Sequence, residues 1–177
     1  MSLTNEIIRQ KLEEKFGESV KAFSEESFGL LTFEVDRAKA IDLMQFLRDD
    51  ETLRFNFLTT MCCVHYPDNE VESQFAMVYH MHNWLDNVRI RFKTFLNGEN
   101  PEIATATTLF LTANWMEREA YDFYGVNFTG HPDLRRILNM DEMVSFPMRK
   151  EYPMEDAGRT DKDDRYFGRT PVNTNAN

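Results

Sequence analysis

The reading of this chain turns on Trp115-Met-Glu-Arg-Glu-Ala-Tyr-Asp-Phe-Tyr-Gly125, then Val126-Asn-Phe-Thr-Gly-His-Pro-Asp-Leu-Arg-Arg-Ile-Leu138, ending in Phe146-Pro-Met-Arg-Lys-Glu-Tyr-Pro153. The first of these reads as a short helix. Asn114 is placed to cap it, Glu117 stands three places on as in a capping box, and Gly125 closes it. Met116, Ala120 and Phe123 form its apolar stripe, and its charges are expected to solvate or dock it. Beyond Gly125, regular structure is interrupted by Gly130, Pro132, Pro147 and Pro153, yet large apolar residues and paired charges persist there. That combination predicts irregular, extended chain held against a surface.

Upstream, residues from about Asn5 to Phe16 read as a helix with Ile8, Leu12 and Phe16 on one stripe and Gly17 as its stop. Strands are expected near Val20–Phe23 and Leu30–Val35, the second with Leu31, Phe33 and Val35 alternating with Thr32 and Glu34. Asp36 is placed to cap a second helix whose Ala40, Leu43, Met44 and Leu47 share a face. Asp49, Asp50 and Glu51 oppose the helix dipole, so that helix is expected to end before them. Three more strands are expected between Phe55 and Phe95, with turns at Pro67–Glu70 and Asn83–Asn87. In the last of them Val88, Ile90 and Phe92 face a core, while Arg89, Arg91 and Lys93 face solvent or an acidic partner. The loop from Asn97 to Pro101 ends the sheet, and a short helical piece is expected over roughly Ala104–Phe110.

This order predicts an α+β fold: a two-layer domain with a mixed sheet of about five strands packed by helices, plus an extended C-terminal tail. The expected divisions are the two-layer domain over 1–110, the helix and extended docking segment over 111–154, and a flexible acidic, Asn-rich tail over 155–177. In that tail Tyr166 and Phe167 are the residues that would anchor it on a partner.

A length of 177 residues with 42% hydrophobic content and 15 Phe argues for a folded body. No apolar run reaches the roughly 20 residues that a membrane-spanning helix needs. The opening Met-Ser-Leu-Thr-Asn-Glu lacks the basic and apolar parts of a secretory signal, which predicts a cytosolic chain. A net charge of −10 disfavours nucleic acid and anionic lipid, so membrane association is expected only through partners.

Cys62 and Cys63 are adjacent and would face opposite ways on a strand, which excludes a Cys-x-x-Cys knuckle. His80 and His82 would face the same way and are feasible metal ligands, but no third ligand has a convincing place beyond Cys62 and His65. Glu117, Glu119 and Asp122 with His131 resemble an acid/base or metal constellation. Helical geometry weakens that reading, because Arg118 stands four before Asp122 as a salt-bridge partner. Gly-rich phosphate loops are absent from the sequence. Arg135, Arg136, Arg149 and Lys150 are the densest cations of the irregular segment. Two readings stay open for them: forks locked onto acidic surface, or a solvated charge run.

The run Glu117-Arg-Glu-Ala-Tyr-Asp-Phe-Tyr-Gly125 followed by Phe128-Thr-Gly-His-Pro-Asp-Leu-Arg-Arg-Ile-Leu138 closely resembles the signature of the C subunit, or 30-kDa subunit, family of proton-pumping NADH:quinone oxidoreductase. The resemblance covers most of the chain and loosens from about Glu155. Where that family commonly has Gly-His-Pro-Leu-Arg-Lys-Asp, this chain has Ser145-Phe146-Pro147-Met148-Arg149-Lys150-Glu151, so the loop before Pro147 need not follow the family's path.

The resemblance implies a non-catalytic subunit at the cytoplasmic face of the cell membrane. It would brace the large quinone-site subunit of a complex that passes electrons from NADH through FMN and Fe-S clusters on partner chains to quinone, coupled to proton translocation. No cofactor, metal or catalytic residue is expected in the chain itself. The residues implied for signature and docking are Glu117, Arg118, Glu119, Asp122, Gly125, Gly130, His131, Pro132, Asp133, Arg135, Arg136, Leu138, Pro147, Arg149 and Lys150. Two alternatives remain: the equivalent subunit of a related membrane-bound hydrogenase or other-donor dehydrogenase, and a free-standing metal-dependent enzyme using His80, His82 or His131.

Overall fold

Apolar alternation and helical stripes place most of the chain where they predict. The structure, a computed structural model, describes residues 3–25 and 28–152. The expectations for residues 155–177, including Tyr166 and Phe167, lie outside the described residues.

Helix α1 (Asn5–Phe16) begins at Thr4, whose hydroxyl accepts from the Ile7 N–H, and buries Ile8 and Leu12. Gly17 ends it at φ +53°, a left-handed conformation that glycine adopts without steric cost. Strands β1 (Val20–Ser24) and β2 (Leu31–Val35) form a hairpin, and β2 buries every second residue. Helix α2 (Ala40–Asp49) buries Ala40, Leu43, Met44 and Leu47, the four residues of its apolar stripe.

Both ends of α2 correct the sequence reading. Asp36 makes no side-chain cap; its carbonyl accepts the Lys39 N–H at 2.8 Å in a 3-10 turn, and the α-helix starts only at Ala40. The helix also runs on to Asp49 despite the dipole. Arg48 pairs with Asp49 at 2.6 Å and Lys11 with Asp50 at 2.8 Å, so each carboxylate has a cation at hand. Asp50 also accepts the N–H groups of Thr52 and Leu53, turning the chain toward the next strand.

Strands β3 (Phe57–His65), β4 (Phe75–Asn83) and β5 (Val88–Leu96) form an antiparallel meander. Strand β2 joins β5 in parallel, giving one mixed sheet of order β1-β2-β5-β4-β3. One face of that sheet carries the core. Phe33 stacks on Phe92 and Phe92 on Tyr79, with ring centroids 5.8 and 4.8 Å apart. These rings join Leu12 of α1 and Leu43 and Leu47 of α2 in a single cluster. Full burial of each such side chain is worth about 1.5–3 kcal/mol, which makes this face the main source of stability.

Three further expectations fail after Leu96. No helix forms over 104–110. Instead Glu102–Ala104 is a strand, β6, followed by a single turn in which the Leu109 and Phe110 N–H groups reach the Ala106 carbonyl. Helix α3 spans Ala113–Tyr124, starting before Asn114, and Thr112 at its head makes no side-chain cap. The chain beyond it is not wholly irregular, because β7 (Asn127–Thr129) pairs in parallel with β6. Three-residue strands carry too little alternation to be read in advance. Ile103 and Phe128, in register and both buried, hold them together.

Candidate functional site

Helix α3 inverts the expected division between apolar core and charged surface. Its buried residues are Ala113, Glu117, Arg118, Ala120 and Asp122, whereas Met116 and Phe123 are half-buried and Glu119 is exposed. The reason lies in what packs against it. Residues 133–150 return across the face that carries Arg118 and Asp122, so the charged side is enclosed by the chain's own backbone.

Asp122 is the centre of that enclosure. Its carboxylate accepts the backbone N–H groups of Ile137, Leu138 and Asn139 at 3.1, 2.8 and 2.9 Å and the Asn139 side-chain amide at 3.0 Å. Arg136 Nη1 adds an ion pair at 2.7 Å, with the Asp122 side chain fully buried and that of Arg136 nearly so. Burial alone would raise the carboxyl's pKa. The donors from Asn139, Leu138 and Arg136 outweigh it and hold the group well below the usual carboxylate range. The same guanidinium donates to the carbonyls of Asp122, Met143 and Ser145, so one side chain ties the helix to both limbs of the 137–145 loop.

Arg118 does not pair with Asp122. It donates to the carbonyls of Arg135 and Arg136 at 3.2 and 3.1 Å and lies over the Trp115 ring. Arg149 donates to the Tyr124 carbonyl at 2.7 Å, and the Met148 N–H bonds the Phe123 carbonyl. Between the guanidinium groups of Arg136 and Arg149 sits Phe146, its ring centroid 5.2 and 4.8 Å from them. Gly125 makes this approach possible. It stands at φ +76°, and a Cβ there would fall 2.6 Å from the Phe146 ring.

The other signature residues divide into partners and bystanders. Lys150 contributes its backbone rather than its ammonium group, through an N–H bond to His65 Nδ1 at 2.9 Å. Arg135 pairs with Asp133, and both are well exposed. Pro147 is half-buried within the return segment. Leu138 is held by its N–H while its side chain is 65% exposed. Gly130 turns the chain at φ +84°, and with Pro132 it borders a shallow hollow beside Trp115 and Leu111. We therefore expect Arg136→Ala to destabilise the fold by about 3–5 kcal/mol, because it leaves Asp122 buried and uncompensated. Arg135→Ala should stay within roughly 0.5 kcal/mol. Paired urea titrations of the two variants check this, and equal losses would contradict the assignment.

On the opposite side of α3, Glu117 is buried among neutral partners. Its carboxyl meets the Thr105 hydroxyl at 2.5 Å and the Ala106 N–H at 2.6 Å. His131 lies nearby, its Nε2 4.0 Å from the carboxyl. The imidazole is already committed, since Nε2 donates to the Asn114 carbonyl and Nδ1 accepts the Asp133 N–H. Burial is the dominant influence and pushes the Glu117 pKa up to about 7, against the opposing donors Thr105 and Ala106. The protonated acid suits the site: its O–H can donate to Thr105 Oγ while Oε1 keeps the Ala106 N–H.

Between the ordinary carboxyl pKa and about 7 the folded chain holds a proton that the unfolded chain has lost. Stability must then fall as pH rises through that window and level off above it. Glu117→Gln, which mimics the acid form, should remove a decline on the order of 2–4 kcal/mol. Urea midpoints at pH 5 and pH 8 measure it, and an unchanged slope in the variant would refute the assignment.

His80 and His82 do lie on one strand. His82 Nε2 bonds Asn87, and among the described residues no group of three or more His, Cys, Asp or Glu is placed to hold a metal ion. Thr105, Asn139 and Phe75, whose ring lies under the Arg149 guanidinium, complete the site and carry no signal in the sequence, while His65 and Phe146 are marked there for other reasons. Each is recruited from a distance along the chain. The arrangement fixes an irregular strap with charge-assisted bonds.

Comparison with known proteins places the chain as a whole. Residues 33–158 match the family described as respiratory-chain NADH dehydrogenase, 30 Kd subunit. A relative from Rhizobium etli, the second C subunit of its NADH-quinone oxidoreductase, is 37% identical over 87% of this chain and 80% of its own length. The NADH-quinone oxidoreductase C subunit of a Roseiflexus species is 35% identical over 97% and 98% of the two chains. The solved structure of a trypsin-resistant fragment of Nqo5 is similar with a TM-score of 0.60 at 28% identity, covering 72% of this chain and 98% of that one.

Proposed function

The chain belongs to the respiratory-chain NADH dehydrogenase 30-kDa subunit family, and from that premise we propose that it serves as the C subunit of an NADH-quinone oxidoreductase, bracing the peripheral arm. One observation supports the bracing role most directly. The strap held by Asp122, Arg118 and Arg136 turns apolar side chains outward: Leu138, Met140, Val144 and Met148 are 65%, 75%, 93% and 50% exposed. A fold that commits buried charges to fixing a loop, and then leaves that loop's apolar residues in water, is built to meet another protein.

On this reading the strap docks on the large quinone-site subunit. FMN, Fe-S clusters and quinone are held by partner chains, and residues of this chain act by position rather than by redox chemistry. No helix among the described residues is long and apolar enough to cross a membrane, and attachment to the cytoplasmic face of the cell membrane would run through those partners.

The test is recovery of the tagged chain from native membranes after mild detergent extraction, with mass spectrometry and an NADH:quinone assay on the eluate. A flavin- and Fe-S-containing assembly is expected, and its loss on combining Met140→Asp with Val144→Asp would locate the docking strip. A lone protein, or a nickel-iron large subunit in the eluate, would overturn the proposal.

A further inference from the structure

Strand β3 ends the sheet and pairs on one side with β4; among the described residues no backbone group of Phe57–His65 bonds any other stretch of backbone. An antiparallel strand turns the N–H and C=O groups of alternate residues away from its neighbour, so an edge carries a row of unmet donors and acceptors. Proteins guard such rows with short strands, charged side chains, proline or a bulge. The other edge, β1, is guarded: it has five residues, Lys21, and a broken register between Lys21 and Ser24. Strand β3 is not. It runs nine residues as Phe-Leu-Thr-Thr-Met-Cys-Cys-Val-His, without Lys, Arg, Asp, Glu or Pro, and from Thr60 to His65 its register with β4 is unbroken. That leaves about 20 Å of regular edge.

Helix α3 packs against β3, and a groove of about 340 Å³ opens between them. Consecutive residues Thr60 to Cys63 all line it, although their side chains alternate between the two faces of the sheet, and no residue of β4 does. The groove therefore follows the strand's edge. Its other wall is Met116, Glu119 and Phe123, one stripe of α3 at i, i+3 and i+7. Met116 and Phe123 are only half-buried, so the stripe that reads as core in the sequence lacks part of its cover. Glu119 is exposed and, among the described residues, its carboxylate makes no hydrogen bond or ion pair, whereas Glu117 and Asp122 on the same helix are buried and satisfied.

We propose that the β3 edge receives an extended segment of another subunit of the assembly, which adds a strand to the sheet, seats an apolar side chain against Met116 and Phe123, and brings a Lys or Arg to Glu119. Main-chain pairing supplies the affinity in this mode of recognition, and the groove beside it supplies the selectivity. Charge complementarity chooses the occupant. A second copy pairing through its own β3 would bring no cation to Glu119, since that strand has none. Met148 of the strap also lines the groove, so the edge continues the docking surface proposed above. The inference rests on the subunit reading.

The test uses the intact complex isolated on the tagged chain. Hydrogen exchange read on a peptide covering Phe57–His65 should show nearly all amides slow, because both sides of the strand are paired; with β4 alone about half exchange freely. A photoreactive amino acid in place of Thr60 should couple to a segment of another subunit that carries Lys or Arg. Glu119→Lys should lower retention of the chain in the complex by roughly tenfold at low salt, and Glu119→Gln by less. Neither should shift the urea midpoint of the chain, since this exposed carboxylate bonds nothing described within it. Half of the β3 amides exchanging freely in a fully assembled complex would overturn the inference while leaving the subunit reading intact. So would unchanged retention of Glu119→Lys, or coupling from position 60 confined to residues 153–177 of this chain or to a second copy. If no other subunit is recovered with the chain, both readings fail together.

Discussion

Replacing Asp122 with asparagine is expected to release the strap from α3 and to destabilise the chain by about 3–5 kcal/mol, the range for breaking a buried ion pair from one side. The substitution keeps size and shape, so the loss measures charge and hydrogen bonding alone. An amide placed there faces the N–H groups of Ile137, Leu138 and Asn139, the Asn139 amide and the Arg136 guanidinium, all of which donate. Its own NH₂ has no acceptor among them, and Arg136 loses its counter-charge.

Hydrogen exchange offers a local readout beside the urea midpoint: the amides of Leu138 and Asn139 should lose protection before the sheet does. Because the native Asp122 pKa is depressed, its contribution is present above the ordinary carboxyl range and vanishes as the pH falls through the native value. The gap between wild type and Asp122→Asn should therefore narrow on acidification. A variant with an unchanged midpoint and protected strap amides would show that the cradle is not what holds this segment.

Gly125→Ala should give the second large loss, about 2–5 kcal/mol, and for two separable reasons. The left-handed backbone at φ +76° disfavours any L side chain by roughly 1–2 kcal/mol. The new methyl must also displace the Phe146 ring, 2.6 Å away, and Arg149 Nη2, 2.8 Å away; overpacking of this kind costs about 1–3 kcal/mol. Gly130→Ala is the matched control. Its φ of +84° carries the same backbone penalty, but its Cβ would meet only the Thr105 methyl at 3.4 Å. In a chain of this size each kcal/mol moves Tm by roughly 2–4 °C, so the difference between the two variants is measurable. Equal shifts would mean that the stack of Phe146 between Arg136 and Arg149 contributes little.

The helix and strand periods of residues 5–96 were readable because each records a local fact, namely which side of one element meets the core. Leu31, Phe33 and Val35 alternate, and Ala40, Leu43, Met44 and Leu47 recur at helical spacing, whatever partner they meet. In α3 the same rule misleads. A helix that reads as apolar on one side and charged on the other buries the charges, because a segment more than ten residues later supplies the donors and carbonyls that satisfy them. The signature marked Glu117, Arg118, Asp122 and Arg136 as positions without indicating that Arg118 serves two carbonyls, that Arg136 serves Asp122, or that Glu117 stands apart with Thr105.

By itself the sequence determined the class of fold, the order of its elements as far as β5, the stripe of α2 and the family, because patterning and a long irregular motif are properties of the chain read locally. Only the tertiary structure decided which charges are buried, that Phe146 is wedged between two arginines, and that β6 and β7 pair. Burial and pairing depend on which distant backbone comes to lie against a residue, and no spacing within one segment records that.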